Sequence, residues 1–240
     1  MKIAFCVIVK PTDEEAMLLN RLLNNVSRHV DGLFVTITGE NKKCEEIANW
    51  HDAHISHYEW DFNFAKARNF NFSQVPKEYT HILWGDADDM FRGLENLRKL
   101  IEKNPNTDGF IMNYLYAWDE YRNPVVVHLK TQIVKNNGCV IWDERSWLHE
   151  DFKSVRFIDL KMTTDIERLH ITDDDRVNEN RARNVEISKR MAKAYPNDPR
   201  SYWNLGNSLW GAGSLEEAMS SFSKFLGLSE SDDEKYIVHL

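Results

Sequence analysis

Short apolar runs alternate with helical patterns through the first hundred residues, and this alternation limits the possible folds more than any other feature. The apolar runs are rich in β-branched and aromatic residues, which predicts strands, and between them apolar residues recur at helical spacing. The predicted strands are 3–9, 32–38, 54–58 and 80–84, and the predicted helices are 14–30, 42–50, 63–73 and 94–102. This rhythm is typical of βαβ units and predicts an α/β fold, with a sheet covered by helices on both faces.

The pattern changes after residue 109. Strand-like segments at 110–118, 124–134 and 140–142 predict that the sheet continues as a mixed sheet, which would form the acceptor-binding half. Beyond residue 175 the chain is helical, and a helix predicted at 178–194 ends at a proline-containing segment. We therefore predict two domains, an α/β domain over residues 1–175 and a helical region over 176–240.

Composition excludes several classes of protein. The chain has 240 residues and a net charge of -8, which disfavours a protein that grips nucleic acid through its phosphates. The apolar run near the start is too short for a signal core or a membrane span. Cys6, Cys44 and Cys139 lack the spacing of a zinc site or a disulfide framework, which favours a reducing cytoplasm.

Three aspartates follow the fourth predicted strand. Asp86 and Asp88 are two positions apart, and alternation along an extended chain would point both carboxylates to one side. Hard oxygen ligands suit a divalent cation, although an acidic triplet alone is more often a turn or a helix cap. Ligands of parallel sheets bind beyond the carboxyl ends of the strands, so Lys10 and Thr38 are expected in the same crevice.

Residues 199–232 resemble a single tetratricopeptide repeat. The small residues Gly206 and Ala218 would let two antiparallel helices approach closely, with larger apolar side chains filling the seam. The matching positions are Tyr202, Leu205, Gly206, Leu209, Gly213, Ala218 and Phe222. An ordinary helical hairpin is the alternative. Residues 233–240 look like the start of a further repeat, and one repeat alone cannot bury its apolar face.

Three segments in order, 5–10, 58–69 and 82–89, are similar to family 2 glycosyltransferases of GT-A fold. The resemblance is to members in which this domain is followed by tetratricopeptide repeats. It implies a Rossmann-like mixed sheet flanked by helices, with a helical segment after it. It also implies transfer of a sugar from a nucleotide-diphosphate donor, with inversion at the anomeric carbon.

The resemblance assigns roles on the donor side. Asp88 would bind Mn²⁺ or Mg²⁺ across the diphosphate, Asp86 would hold the ribose or join the metal shell, and Arg68 would face the base or the diphosphate. The other predicted nucleotide contacts are Val9, Lys10 and Thr38. The second strand departs from the family pattern, because Ile37 replaces an aspartate that reads the base. A UDP-sugar is the expected donor, but the base stays open.

The resemblance also assigns roles on the acceptor side. Glu150 would be the general base that deprotonates the acceptor, with Asp151 as the second choice. His170 would complete the metal shell. The acceptor could be a glycan, a lipid-linked glycan or a protein. A homo-oligomer or a protein partner bound through the helical repeat is also possible.

Two other functions compete with the enzyme. The chain could be a degenerate transferase-like adaptor that binds peptides through its helical repeat, which the loss of the aspartate at Ile37 slightly favours. It could also be a nucleotidyltransferase, which shares the sheet and the acidic residues. A nucleotidyltransferase is expected to carry a glycine-rich basic loop after the first strand, and residues 10–15 do not form one.

Overall fold

The protein is described here from a computed structural model, which covers residues 1–171 and 174–230. The chain forms two compact units. The first unit comprises Met1–Asp61, Lys66–Asp143 and Phe152–Ile171. The second unit comprises Phe62–Ala65, Glu144–Asp151 and the helical part that follows Ile171. The boundary at residue 175 remains a prediction, and residues 233–240 lie outside the described residues.

The described residues contain ten strands, and eight of them form one mixed sheet in the order β3-β2-β1-β4-β7-β6-β10-β5. The strands are β1 (Ile3–Val9), β2 (Gly32–Ile37), β3 (His54–His57), β4 (His81–Asp86), β5 (Asp89–Arg92), β6 (Gly109–Trp118), β7 (Pro124–Lys135), β8 (Val140–Trp142), β9 (Phe152–Ser154) and β10 (Leu160–His170). The first four strands, β1 to β4, pair in parallel with one another, as βαβ connections require. β7 is antiparallel to β4 and β6, and β8 pairs with β9 in a separate ribbon.

Seven α-helices lie within residues 1–171 and 174–230. They are α1 (Asp13–Val26), α2 (Lys42–Trp50), α3 (Phe64–Ser73), α4 (Leu97–Lys103), α5 (Asp174–Ala194), α6 (Pro199–Gly211) and α7 (Leu215–Leu228). Thr12 and Asn41 cap the amino ends of α1 and α2 by accepting backbone hydrogen bonds. α1 is shorter than predicted, because a 3₁₀ turn at Ser27–His29 follows it. Among these helices, none is both long and apolar enough to cross a membrane.

The core of the first unit lies along β1, whose residues are all buried. A central parallel strand is covered on both faces, so it is apolar throughout rather than alternating. Leu19, Leu22 and Leu23 of α1 and Ile101 of α4 are also buried in this core. The predicted α/β class is therefore confirmed.

Strand direction determines which residues meet at the carboxyl edge of the sheet. Ile8 is paired with Asp86 and Val9 with Ile37, so β1, β2 and β4 end side by side. β10 runs parallel to β6, and both run in the direction of β4, because β7 lies antiparallel between β4 and β6. His170, the last residue of β10, therefore lies at the same edge as Asp86.

The second unit contains α5, α6 and α7. Asp198 caps α6, and Pro199 occupies the first turn, where its missing N–H costs nothing. A Cβ at Gly206 would lie 2.5 Å from the ring of Phe222, so glycine is required for the close approach of α6 and α7. Ala218 is buried in α7, as the repeat-like pattern predicts. Trp210 is 62% exposed and does not belong to the seam.

Candidate functional site

Asp88, Asp89 and His170 form an acidic cluster with one imidazole at the carboxyl edge of the sheet. A possible ligand atom from each residue lies within 4.8 Å of the others. Nδ1 of His170 is 3.7 Å from Asp88 Oδ1 and 3.8 Å from Asp89 Oδ1. Antiparallel pairing of β5 with β10 places Asp89 opposite His170. The cluster is thus built by a strand pair between residues distant in sequence.

The structure corrects the expected geometry of Asp86 and Asp88. β4 ends at Asp86, and residues 87 and 88 form a turn into β5. Side-chain alternation applies only while the chain stays extended, so the two carboxylates do not share a strand face. Asp89, which was not among the predicted ligands, groups with Asp88 and His170 instead.

Asp86 lies between two guanidinium groups. Arg68 donates to its Oδ1 at 2.6 Å, and Arg168 donates to its Oδ2. Burial alone would raise the pKa of Asp86, but Arg68 and Arg168 hold that pKa well below its usual range. Asp86 is therefore a carboxylate with two cationic partners, and its predicted role as a metal ligand remains a prediction.

Arg168 is the centre of this network and was not predicted from the sequence. Its side chain is 2% exposed and forms ion pairs with Asp86 and the fully buried Asp89. It also donates to Gln132 Oε1 at 3.0 Å and lies 4.1 Å from the centre of the Tyr114 ring. One signal was available. Arg168 occupies the same strand face as Ile166 and His170, and an arginine on a buried face requires anionic partners.

Arg68 is held by aromatic rings as well as by Asp86. The residue is 6% exposed, and its guanidinium lies 4.6 Å from the Trp84 ring and 5.2 Å from the Trp142 ring. Such cation–π contacts add to the ion pair with Asp86 in holding the guanidinium in place. α3 thus presents Arg68 to the end of β4 in a defined orientation.

The charges of this network fit a divalent cation. Asp86, Asp88 and Asp89 bring three negative charges, and Arg68 and Arg168 bring two positive ones, which leaves a net charge of -1. Nδ1 of His170 is buried and forms no hydrogen bond. A nitrogen that could coordinate a metal is therefore left unsatisfied beside two carboxylates. Carboxylate oxygens are the ligands that hard divalent cations prefer.

The pKa of His170 reflects the same charges. Burial lowers this pKa, but interaction with the carboxylates of Asp89 and Asp88 outweighs burial, and the net shift is upward. Any positive charge near these carboxylates is therefore stabilised.

The predicted nucleotide contacts on β1 and β2 lie together at the same edge. The backbone N–H of Thr38 donates to the carbonyl of Val9 at 2.9 Å, and its hydroxyl donates to the same oxygen at 3.1 Å. Lys10 follows directly and is exposed. Gly39 has a φ of +146°, and a Cβ there would lie 2.9 Å from Pro11, so the turn requires glycine.

The predicted bases Glu150 and Asp151 belong to the second unit. Asp151 pairs with Arg200 at 2.7 Å, and Arg200 also donates to the carbonyl of His149 at 2.9 Å. His149 has a φ of +53°, an uncommon conformation for a residue other than glycine. Glu150 follows this constrained residue.

Comparison with known proteins supports the fold. The solved structure of S. aureus TarS 1-349 has a TM-score of 0.51 and 12% identity to this chain, and the match covers 98% of this chain and 77% of that chain. A weaker match is the 4-diphosphocytidyl-2C-methyl-D-erythritol synthase of Anaerococcus prevotii, with a TM-score of 0.49, 13% identity, and coverage of 73% of this chain and 92% of that one. The chain has the mixed α/β architecture with flanking helices that the GT-A prediction requires.

One curated relative matches by sequence. A TPR repeat-containing protein of Synechococcus elongatus is 28% identical over 102 residues, which cover 42% of this chain. The match spans about a quarter of that relative, 25% of its length. No protein-family model matches the chain.

Proposed function

We propose that the protein is a glycosyltransferase that moves a sugar from a nucleoside-diphosphate donor, a UDP-sugar, to an acceptor with inversion at the anomeric carbon. The observation that carries this proposal is the cluster of Asp88, Asp89 and His170. It lies at the carboxyl edge of the sheet, where β1 and β2 also end. Open α/β sheets bind nucleotides at this edge.

Each part of the cluster has a role in this proposal. Asp88, Asp89 and His170 would hold Mn²⁺ or Mg²⁺, and Asp86 would face the ribose or join the metal shell. A bound divalent cation would neutralise the negative charge of the donor diphosphate. Arg68 is oriented by two indole rings, and its guanidinium would stabilise charge on the leaving phosphate.

The reaction is a displacement at the anomeric carbon. An acceptor hydroxyl oxygen forms a bond to this carbon, and the bond from the carbon to the phosphate oxygen breaks. The bonding electron pair leaves with the nucleoside diphosphate. The hydroxyl proton passes to a carboxylate, for which Glu150 is the first choice. Asp151, which is paired with Arg200, is the second choice.

Calorimetric titration with UDP, GDP, CDP and dTDP, each with and without Mn²⁺, tests the donor site. We expect one nucleotide to bind, and only when Mn²⁺ is present. If none binds under either condition, the transferase proposal fails. The adaptor alternative would then be tested with peptides offered to the helical repeat.

Glu150→Gln tests the general base without knowledge of the acceptor. Transfer of the donor sugar to water also requires a base, so the release of UDP from UDP-glucose and UDP-N-acetylglucosamine measures the step. We expect Glu150→Gln to keep its UDP affinity and to slow UDP release by roughly 10²- to 10⁴-fold. Asp151→Asn is the control. If only the control loses activity, the role moves to Asp151.

Location and partners extend the proposal. Cys6, Cys44 and Cys139 are free thiols, and Cys6 and Cys44 are buried, which supports a cytoplasmic location. A glycan, a lipid-linked glycan or a protein remains the class of acceptor. A homo-oligomer or a partner bound through α6 and α7 is part of the same proposal.

A further inference from the structure

A tyrosine on β6 stacks against the imidazole of His170 in the cluster with Asp88 and Asp89. The ring of Tyr116 is nearly parallel to that of His170, with centroids 4.8 Å apart and an interplanar angle of 4°. Tyr116 is nevertheless 45% exposed. One face of its ring therefore lies on His170, and much of the remaining surface is accessible to a ligand.

The register of three strands explains how these rings meet. Tyr114 of β6 lies between Arg168 of β10 and His128 of β7. Two residues further along the parallel pair, His170 and Tyr116 follow on the same face. The His128 ring lies 5.2 Å from that of Tyr116 at an angle of 62°. Tyr116 thus has an imidazole under one face and a second imidazole at its edge.

Neither core packing nor metal binding accounts for the exposed part of Tyr116. A tyrosine needed only for packing would gain most by being buried, and Tyr114, two residues earlier, is 7% exposed. His170 is already positioned by its strand pairing with Asp89, and its carbonyl accepts from Trp118 Nε1 at 3.2 Å. Part of the Tyr116 ring is therefore exposed to solvent beside the cluster.

The chemistry of this surface matches a sugar ring. A pyranose has an apolar face of C–H groups and a rim of hydroxyls, so it can stack on an aromatic ring while its rim makes hydrogen bonds. Tyr116 offers the ring and a phenol hydroxyl, and the exposed His128 offers an imidazole at the rim.

We propose that Tyr116 is a specificity-determining residue that stacks on a pyranose ring of a substrate, with His128 beside its rim. This inference rests on the proposed function, because the ring lies against a candidate metal ligand. The same chemistry could belong to the donor sugar or to a carbohydrate acceptor. The two sources are distinguished by separate binding measurements.

Three variants form a matched set. Tyr116→Leu removes the aromatic face, and Tyr116→Phe keeps it. Tyr121→Leu alters a tyrosine that is 77% exposed at the tip of the same β6–β7 hairpin. The affinity for UDP with Mg²⁺ is measured first in the wild type and in each variant. The donor measurement then uses UDP-glucose, UDP-galactose and UDP-N-acetylglucosamine. The acceptor measurement uses the methyl pyranosides of the same sugars, added to protein saturated with UDP and Mg²⁺.

We expect Tyr116→Leu to weaken binding of at least one sugar at least fivefold. Tyr116→Phe and Tyr121→Leu should stay within twofold of wild type, and UDP affinity should stay within twofold in all three. A loss of affinity for a UDP-sugar, relative to the affinity for UDP, assigns the ring to the donor site. A loss of affinity for a methyl pyranoside assigns the ring to the acceptor site.

Three results would overturn the inference. The first is unchanged sugar binding by Tyr116→Leu. The second is a wild-type protein that binds UDP but binds no UDP-sugar more tightly than UDP and binds no methyl pyranoside. The third is an equal loss of UDP affinity and sugar affinity, which would mean that Tyr116 only orients His170. Failure of the proposed function gives a different result, since UDP with Mg²⁺ would then not bind the wild type at all.

Discussion

The two ends of β4 have opposite effects on the charge of a titratable side chain. His81 begins the strand and is 7% exposed, and burial, with a contribution from Lys135, lowers its pKa to about 4. Asp86 ends the strand, and Arg68 and Arg168 hold its pKa well below the usual range although burial acts to raise it. The first end keeps a side chain neutral, whereas the second keeps a side chain charged.

The difference shows where the fold maintains charge. Neutralising a buried histidine requires no partner, because burial disfavours the imidazolium. Keeping Asp86 ionised at the other end requires two guanidinium groups, Arg68 from α3 and Arg168 from β10. A buried ion-pair network contributes little net stability. Its position at the carboxyl edge of the sheet fits the nucleotide site that we propose.

We expect the largest loss of stability from a change at the carboxyl end of β4, where the side chains are charged. Arg168→Met keeps much of the side-chain volume but leaves Asp89 buried without its cation, so we expect the free energy of unfolding to fall by about 3–5 kcal/mol. Urea denaturation measures it. Arg92→Met is the control, because Arg92 is 64% exposed in its pair with Glu167 and should contribute under about 1 kcal/mol. Equal losses in both variants would refute the central role of Arg168.

The next prediction concerns the neutral end. The pKa of His81 is lower in the folded protein than in the unfolded chain, where it is about 6.5, so the unfolded chain binds more protons below that pH. Stability should therefore fall as the pH drops from about 6.5 to 4, by roughly 3 kcal/mol at most. His81→Gln should remove this part of the pH dependence. His54→Gln, on the exposed start of β3, should keep it. Identical pH profiles for His81→Gln and wild type would contradict the assignment.

Asp88→Asn separates binding from stability. The amide keeps the shape of the carboxylate but is a poorer cation ligand, so we expect Mn²⁺-dependent nucleotide affinity to fall at least about 100-fold, or roughly 2.7 kcal/mol. The melting temperature should change little, since Asp88 lies in a turn. Calorimetry and thermal unfolding measure the two effects. The surface variant Asp52→Asn should bind normally. Undiminished Mn²⁺-dependent binding by Asp88→Asn would remove Asp88 from the site.

Asp86→Asn should give the smallest change in metal affinity. It removes the anionic partner of Arg68 and Arg168, so we expect about 1–3 kcal/mol of lost stability. If Asp86 is only a partner of the arginines, Mn²⁺ affinity should fall less than about tenfold, or 1.4 kcal/mol. A loss as large as that of Asp88→Asn would establish Asp86 as a metal ligand. Titration with Mn²⁺ alone makes the comparison.

Much of the fold could be predicted from local pattern. α2 was predicted at its observed bounds, and β1 and β8 likewise, because periodicity and turn residues determine short segments. β5, β9 and β10 were missed. β5 and β9 are short, and all three strands pair with a segment distant in sequence or across a loop. Local pattern carries no information on such pairing.

The candidate site shows the same limit at individual residues. Asp88 and His170 were predicted, and the structure brings them together. Asp89 and Arg168 were not predicted, because an aspartate beside Asp88 and an arginine in a polar strand look like surface residues until burial is known. The geometry of Asp86 was misjudged because the turn at residues 87 and 88 ends the strand alternation.

The sequence by itself determined the α/β alternation, the strand that ends in acidic residues and the close-packed helical hairpin, since each depends on neighbours within a few residues. Only the tertiary structure decided which carboxylates meet His170, which arginines hold Asp86, and that Tyr116 lies exposed beside them. The physical reason is that α3, β7 and β10 come from different parts of the chain. The register of β10 and β7 against β5 and β6 sets the contacts of His170, Arg168 and Tyr116, and the position of α3 sets that of Arg68 with Asp86.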